Sequence, residues 1–251
     1  MSRRARALLL AGVAAVLLGA GLLLAAAAPP PRTLAGYATP LCGRTPGQAH
    51  NARLAVAAIN GRVVPPGGTF SFNRALGGWS AGRGYVPAPV SYDGRVVEAW
   101  GGGVCQVSST LYNAALLSGM RILERHHHHW PPRYVAPGRD AAVAYPKLDL
   151  RFGNPYPWPV TINAAMLGER LDIRLVGKGE PRPASVHSQV LQVIHPTVTS
   201  DPGWPGGPRL RRRGCDGYRV RTYRALGGVR ELVSEDYYPA LSQVLSGGIA
   251  R

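Results

Sequence analysis

The sequence contains few acidic side chains and few cysteines. It has 13 Asp and Glu residues against 29 Lys and Arg residues, which gives a formal net charge of +16 at pH 7. Its three cysteines form no paired CxxC sequences, and no HExxH sequence occurs, so the signatures of common zinc sites are absent. The shortage of negative charge favours an anionic partner, such as nucleic acid, acidic phospholipid or an anionic polymer, or else a merely solvated basic surface.

The N-terminus narrows the choice of anionic partner. An uncharged apolar run from Ala7 to Ala28 follows three arginines and is long enough to cross a bilayer as a helix. A cleaved signal peptide is the alternative, since Ala26 and Ala28 have the required spacing, but Pro29 directly follows them. We therefore predict a membrane-anchored protein whose remainder lies outside the cytoplasm. This location excludes nucleic acid and favours a cell-envelope polymer.

Hydrophobic periodicity predicts a helical part followed by strands. Apolar residues recur at helical spacing over Gln48 to Asn60 and over Gln106 to Ser118. Beyond Arg133, strand-like runs alternate with Pro, Gly and Asn. The predicted fold class is α+β, with helices packed on an antiparallel sheet, an N-terminal membrane-spanning helix and a small C-terminal β appendage. The predicted parts are an anchor (1–28), a Pro-rich stalk (29–47), a main domain (48–178), a linker (179–213) and the appendage (214–251).

The three cysteines form an odd set for an exported protein. Cys42 lies just before the main domain and Cys215 lies beyond it, so a disulfide between them would tie the two ends together. That pairing leaves Cys105 as the unpaired thiol. Two free buried thiols are the other possibility.

Cys105 lies in a setting that lowers the pKa of a thiol. It follows Gly101, Gly102 and Gly103 and precedes the predicted helix from Gln106. The free amides and the dipole at a helix N-terminus favour a thiolate, and glycines allow a substrate to approach closely. The alternative interpretation is a small buried residue after a glycine turn.

Four consecutive histidines, His126 to His129, follow that helix. A cysteine nucleophile needs a base that a third polar group orients, and Asp140 and Asp149 lie further along the chain. This order of Cys, His and Asp is typical of thiol acyl-transfer enzymes. A metal site is the competing interpretation, but in an extended segment alternate histidines face opposite ways. We therefore predict no metal and no cofactor.

At these residues the sequence resembles the VanW family. The resemblance covers roughly Gln48 to Gly177 and rests on four segments in order: "NARLAVAAINGRVVPPGGTFSFN", "GGGVCQVSSTLYNAAL", "ERHHHHWPPRYVAPGRDAAV" and "DLRFGN". In the family pattern the histidine stands three places after the arginine of a Glu-Arg pair, which is His128 here. The neighbouring histidines depart from that pattern.

Some members of the VanW family are assigned as cysteine-dependent L,D-transpeptidases of peptidoglycan. The resemblance therefore implies an acyl transferase in which Cys105 is the nucleophile and His128 is the base. Asp140, or Asp149 as second choice, would orient His128, and Ser109 with nearby backbone amides would stabilise the oxyanion. The expected partners are peptidoglycan or another anionic wall polymer, and the cytoplasmic membrane through the N-terminal helix. The alternative is a non-catalytic wall-binding accessory protein associated with glycopeptide resistance.

Overall fold

The computed structural model describes residues 30–92, 95–182, 184–201 and 209–246. The membrane helix predicted over residues 1–28 lies outside this part of the chain. Within the described ranges, no helix combines the length and the apolar character that a bilayer-spanning segment needs.

The structure is mostly β: strands make up 46% of it and helices 18%. The helices are α1 (Pro46–Ile59), α2 (Phe72–Leu76) and α3 (Val104–Leu117), with a 3-10 turn at Ala81–Arg83. The first nine strands are β1 (Arg32–Pro40), β2 (Val63–Val64), β3 (Thr69–Ser71), β4 (Pro87–Tyr92), β5 (Arg95–Trp100), β6 (Arg121–Glu124), β7 (Arg151–Gly153), β8 (Val160–Leu167) and β9 (Arg170–Gly177). The other six are β10 (Ala184–Ile194), β11 (Val198–Asp201), β12 (Arg209–Arg212), β13 (Gly217–Leu226), β14 (Val229–Tyr238) and β15 (Gln243–Ser246).

The predicted α+β class, with helices packed on an antiparallel sheet, is therefore wrong for the residues that the structure describes. The protein is mostly β, because strands form in two stretches where none was expected. Residues 32–40, within the expected stalk, form β1, which pairs with β9. The expected linker of residues 179–213 contains β10, β11 and β12. Neither stretch shows strict alternation of apolar and polar residues. Backbone pairing with strands that are distant in sequence supports their strand conformation instead.

The core lies between α1, α3 and an antiparallel sheet in the order β1-β9-β8-β2. In β9 the buried side chains alternate as Leu171, Ile173 and Leu175, which gives the sheet its apolar face. The helix α3 packs against β1 and β9, and α1 packs against β8. Buried polar groups fix α3 against β1, since the Thr39 and Thr110 hydroxyls lie 2.9 Å apart. This arrangement holds the N-terminus of α3 at a defined place.

The C-terminal strands form two further sheets, in the orders β10-β13-β14 and β11-β15-β12. The first is bound to the rest of the protein by buried side chains. The Arg224 guanidinium on β13 donates to the Met120 carbonyl at 2.6 Å, and the Thr222 hydroxyl donates to the Gly138 carbonyl at 3.2 Å. These contacts bring β14 next to the segment that contains the histidines.

All three cysteines lie in the described ranges and are free thiols. Cys42 and Cys215 are exposed, and Cys105 is partly buried. The structure therefore has two free thiols at Cys42 and Cys215, as in the alternative to a disulfide, but they are exposed and not buried as that alternative expected.

Candidate active site

Cys105 is the second residue of α3, and a glycine turn places it there. Gly103 caps the helix with φ of 104°, a left-handed conformation that favours glycine. A Cβ atom at this position would lie 2.3 Å from the Gln48 carbonyl oxygen on α1. The glycine therefore lets α1 and the start of α3 meet, which sets the thiol at the positive end of the helix.

The thiol of Cys105 faces a carbonyl and an imidazole. Its Sγ lies 3.5 Å from the Val143 carbonyl oxygen, to which the thiol donates. Burial raises the pKa of Cys105, but hydrogen bonding and the positive charge of His128 outweigh it and hold the pKa below its usual value. The site therefore favours a thiolate paired with an imidazolium.

Asp140 holds His128 by two hydrogen bonds to one carboxylate oxygen. The His128 Nδ1 lies 2.6 Å from Oδ2 of Asp140, and the His128 backbone amide donates to the same oxygen at 2.6 Å. Burial lowers the pKa of His128, but the bonds to Asp140 and Cys105 outweigh it and raise the pKa to about 10. Since Nδ1 is bound to Asp140, Nε2 is the ring nitrogen left to exchange a proton with the thiol.

The Asp140 carboxylate is fully buried and fully hydrogen-bonded. Besides the two donors of His128, its Oδ1 accepts from Arg125 Nη2 at 3.0 Å and from the Tyr238 hydroxyl at 2.5 Å. Four donors match the four lone-pair positions of a carboxylate. Burial alone would raise the pKa of Asp140, yet His128 and Arg125 lower it to about 2. The carboxylate therefore stays charged although no water reaches it.

Arg125 lies between two carboxylates. Its Nη1 donates to Asp236 at 2.5 Å, and its Nε donates to the Asp140 carbonyl at 2.7 Å. The guanidinium also lies 5.3 Å above the ring of Tyr112. No sequence pattern predicted Arg125, Asp236 or Tyr238 as site residues. The Glu-Arg pair that precedes the histidines was a signal for Arg125, whereas nothing local marks the two residues of β14.

Ser109 and Asp149 lie in other environments. The buried Ser109 hydroxyl donates to the Cys105 carbonyl at 2.7 Å and accepts from the Ala141 amide at 2.9 Å. Its proton is thus directed into α3, and it fixes the segment next to Asp140. Asp149 accepts from the Ser71 hydroxyl at 2.5 Å and from the Asn73 amide at 2.8 Å, at the start of α2. The structure does not bring Asp149 to His128.

The other three histidines make separate contacts. His126 pairs with Glu124 at 3.0 Å, and His127 Nδ1 lies 2.7 Å from the His128 carbonyl oxygen. His129 is exposed and packs edge-on against Trp130. Among the residues that the structure describes, no group of three or more His, Cys, Asp or Glu side chains is arranged to hold a metal ion.

The arrangement can perform nucleophilic catalysis. The Cys105 thiol interacts electrostatically with the His128 imidazole, and that imidazole is hydrogen-bonded to the buried Asp140 carboxylate. This is the order of nucleophile, base and orienting group. The thiol lies at a helix N-terminus, where backbone amides can stabilise developing negative charge.

The segment that contains Cys105, His128 and Asp140 is similar to known proteins. The family model described as "VanW like protein" matches residues 47–176, which include Cys105, His128 and Asp140 but not Asp236 or Tyr238. Uncharacterized protein YoaR of Bacillus subtilis (strain 168) is 41% identical over 142 residues, which cover 57% of this chain and 47% of YoaR. Vancomycin B-type resistance protein VanW of Enterococcus faecalis (strain ATCC 700802 / V583) is 29% identical over 109 residues, which cover 41% and 40%.

The matched segments thus span less than half the length of these two curated relatives. A crystal structure of HP0197-G5 is 21% identical and covers 26% of this chain and 92% of its own, with a TM-score of 0.17. That score is too low to support a conclusion about the fold.

Proposed function

The chain belongs to the VanW family, as its sequence predicted, and on that premise we propose that it is a cysteine-dependent acyl transferase of the cell envelope. The observation that carries this proposal is that His128 lies between the Cys105 thiol, with which it interacts electrostatically, and the Asp140 carboxylate, to which its Nδ1 is bound at 2.6 Å. A merely structural cysteine has no need of an imidazole that a buried carboxylate orients. The lowered pKa of the thiol and the raised pKa of the imidazole both favour the thiolate-imidazolium pair over the neutral pair.

In the first step the Cys105 thiolate attacks a peptide carbonyl carbon and forms a tetrahedral oxyanion. Backbone amides at the start of α3 stabilise this negative charge. The C–N bond then breaks, and the His128 imidazolium gives its proton to the leaving amine. The products are a thioester on Cys105 and a free amine, and His128 is left neutral.

In the second step an acceptor amine attacks the thioester. Neutral His128 takes the proton from the attacking nitrogen, a new amide forms, and the C–S bond breaks to restore the thiolate. Asp140 stays charged throughout, because it orients the ring and stabilises the imidazolium without taking the proton.

The proposed substrates are peptidoglycan stem peptides. Cys105 would attack the carbonyl of the third stem residue and release the terminal D-amino acid. The net charge of +16 suits an anionic wall, and the apolar run after three arginines is typical of proteins that leave the cytoplasm. The chain is related to a protein named for vancomycin resistance, which agrees with a role at the wall.

The test is mass spectrometry of wall peptides after incubation with the full chain. We expect new crosslinked or trimmed stem peptides with the parent protein and none with Cys105→Ala. The variant should keep its thermal stability, because the partly buried thiol makes one long hydrogen bond of 3.5 Å. New crosslinks from a well-folded Cys105→Ala protein would contradict the proposal.

Alkylation of Cys105 separates this function from that of a non-catalytic accessory protein. A thiolate paired with an imidazolium should react with iodoacetamide below neutral pH. No reaction there, together with no change in the wall peptides, would favour a wall-binding protein without enzymatic activity.

A further inference from the structure

We propose that Asp236 and Tyr238 are positioning residues of this site, which hold Arg125 and Asp140 in the geometry that orients His128. Both lie on β14, in the C-terminal sheet, outside the segment that the family model matches. The inference rests on the proposed function, since it concerns the same thiol and imidazole. It implies that the site is incomplete without the C-terminal sheet.

Tyr238 contacts the site through its hydroxyl. The side chain is fully buried, and its hydroxyl donates to Oδ1 of Asp140 at 2.5 Å. The same hydroxyl accepts from the Gly138 amide at 2.9 Å, two residues before Asp140. Tyr238 therefore binds both the carboxylate and the turn that precedes it, which fixes the carboxylate relative to its own backbone.

The turn at Gly138 is built for this contact. Its φ of 83° is left-handed, and a Cβ atom there would lie 2.4 Å from the Thr222 hydroxyl oxygen on β13. The C-terminal sheet thus lies against the turn without space for a side chain. This close approach brings the Tyr238 hydroxyl to Asp140.

Asp236 acts on the charge of the site. It pairs with Arg125 at 2.5 Å, is held by the Ser234 hydroxyl at 3.0 Å, and its side chain is 4% exposed. With two carboxylates and one guanidinium, the buried cluster of Asp140, Asp236 and Arg125 carries a net charge of −1. That remaining negative charge favours a positive His128. Without Asp236, Arg125 alone would neutralise Asp140.

The two contacts have opposite consequences for His128. Removal of the Asp236 charge should lower the pKa of His128, because Arg125 is then uncompensated. Removal of the Tyr238 hydroxyl should raise it, because Asp140 loses a donor that disperses its charge. Asp140 and Cys105 bear on His128 directly. Arg125 and Tyr238 bear on it through Asp140, and Asp236 bears on it through Arg125. The other titratable groups near the site are His127, Tyr112 and Tyr134.

The experiment follows the His128 ring by NMR in the full chain, with Cys105→Ala as background so that the thiol does not titrate. Asp236→Asn should lower the pKa of His128 by about one pH unit, and Tyr238→Phe should raise it by a few tenths of a pH unit. The matched controls are Glu235→Gln and Tyr237→Phe, neighbours on β14 whose side chains are exposed or pair with exposed arginines. Neither control should move the titration.

Shifts in the same direction for both variants would overturn the inference, because general loosening of the site moves both toward an ordinary histidine. Unchanged titrations would overturn it as well. Thermal unfolding shows which variants fold, and if Asp236→Asn does not fold, the result for Tyr238→Phe decides alone. The readout is independent of activity, so opposite shifts without wall-peptide products would support the positioning role and contradict the acyl transferase.

Discussion

The site has an open side and a closed side. On the open side, Cys105 is partly buried and the His128 side chain is 23% exposed, so both groups can meet a substrate. On the closed side, Asp140 and Tyr238 are fully buried, and the Arg125 side chain is 6% exposed. The open side carries the two groups that react in the proposed mechanism, whereas the closed side carries the charges that hold His128.

This difference separates activity from stability. On the open side the Cys105 thiol can be removed with little effect on packing, because it makes one long hydrogen bond, whereas removal of the His128 ring also takes a donor from Asp140. On the closed side each removal leaves another buried group without its partner, and that costs several kcal/mol. Substitutions on the open side should therefore lower mainly the activity, whereas those on the closed side should also lower the free energy of unfolding.

The largest effect is expected on the open side, at His128. His128→Ala should lower the rate of acyl transfer by about 10²- to 10⁴-fold, which is typical of a missing acid or base, without unfolding the protein. His129→Ala is the matched control, because His129 is exposed and contacts Trp130. Initial rates on wall peptides measure both. Equal losses at the two positions, or inhibition of the parent protein by a chelator, would count against the Cys105-His128 pair and for a metal site.

A substitution on the closed side should reduce stability as well as activity. Asp140→Asn keeps the shape of the side chain but leaves His128 without its charged partner and removes one of the two carboxylates that pair with Arg125. We expect a loss of about 3–5 kcal/mol in the free energy of unfolding, measured by urea titration. Glu235→Gln, which removes an exposed carboxylate, is the control and should change stability little. A stable Asp140→Asn protein would remove the distinction between the two sides.

The pH dependence of stability should show the buried charges. Since the pKa of Asp140 falls to about 2 in the folded protein, its contribution is fully present above about pH 4 and is lost as the pH falls toward 2. His128, with its pKa raised to about 10, stabilises fully below about pH 6.5 and loses this as the pH rises. Between about pH 4 and pH 2 the parent should lose about 2 kcal/mol more than Asp140→Asn in urea unfolding. Parallel curves would show that Asp140 is not held as a buried anion.

The smallest effect concerns the turn on the closed side. Gly138→Ala introduces a Cβ atom 2.4 Å from the Thr222 hydroxyl, whereas Gly168→Ala meets nothing within 4 Å. Both positions have a left-handed φ, so the strain of the backbone is shared. We expect Gly138→Ala to cost about 1–2 kcal/mol more than Gly168→Ala in the free energy of unfolding. Equal losses would mean that the C-terminal sheet does not press on the turn.

The sequence predicted the open side better than the closed side. Cys105 was indicated by a local signal, a glycine turn before a helix, and His128 by its place in the pattern of the family that the sequence resembles. The observed bounds of α1 and α3 lie within two residues of the predicted helices, because apolar spacing and the Asn60-Gly61 stop are local too. Asp140 and Asp149 could not be ranked by spacing, since both precede strand-like runs and only the fold turns one toward His128.

The closed side depends on contacts between distant parts of the chain. Arg125 and Asp236 are 111 residues apart, and Asp140 and Tyr238 are 98 apart. The hydrophobic periodicity of the sequence does not indicate such pairs. The same applies to β1 and β10, whose strand character comes from pairing with β9 and β13. The mostly β fold was not predicted because local alternation of apolar and polar residues does not indicate these long-range pairings.

These long separations also set an order of events during synthesis. Cys105 and His128 leave the ribosome well before the residues of β14 are synthesised. Contacts of high sequence separation form late in folding. During that interval Arg125 has no Asp236 and Asp140 has no Tyr238. The thiol therefore acquires its final environment only when the last large sheet docks, so a nascent or truncated chain carries the residues of the site but not the finished site.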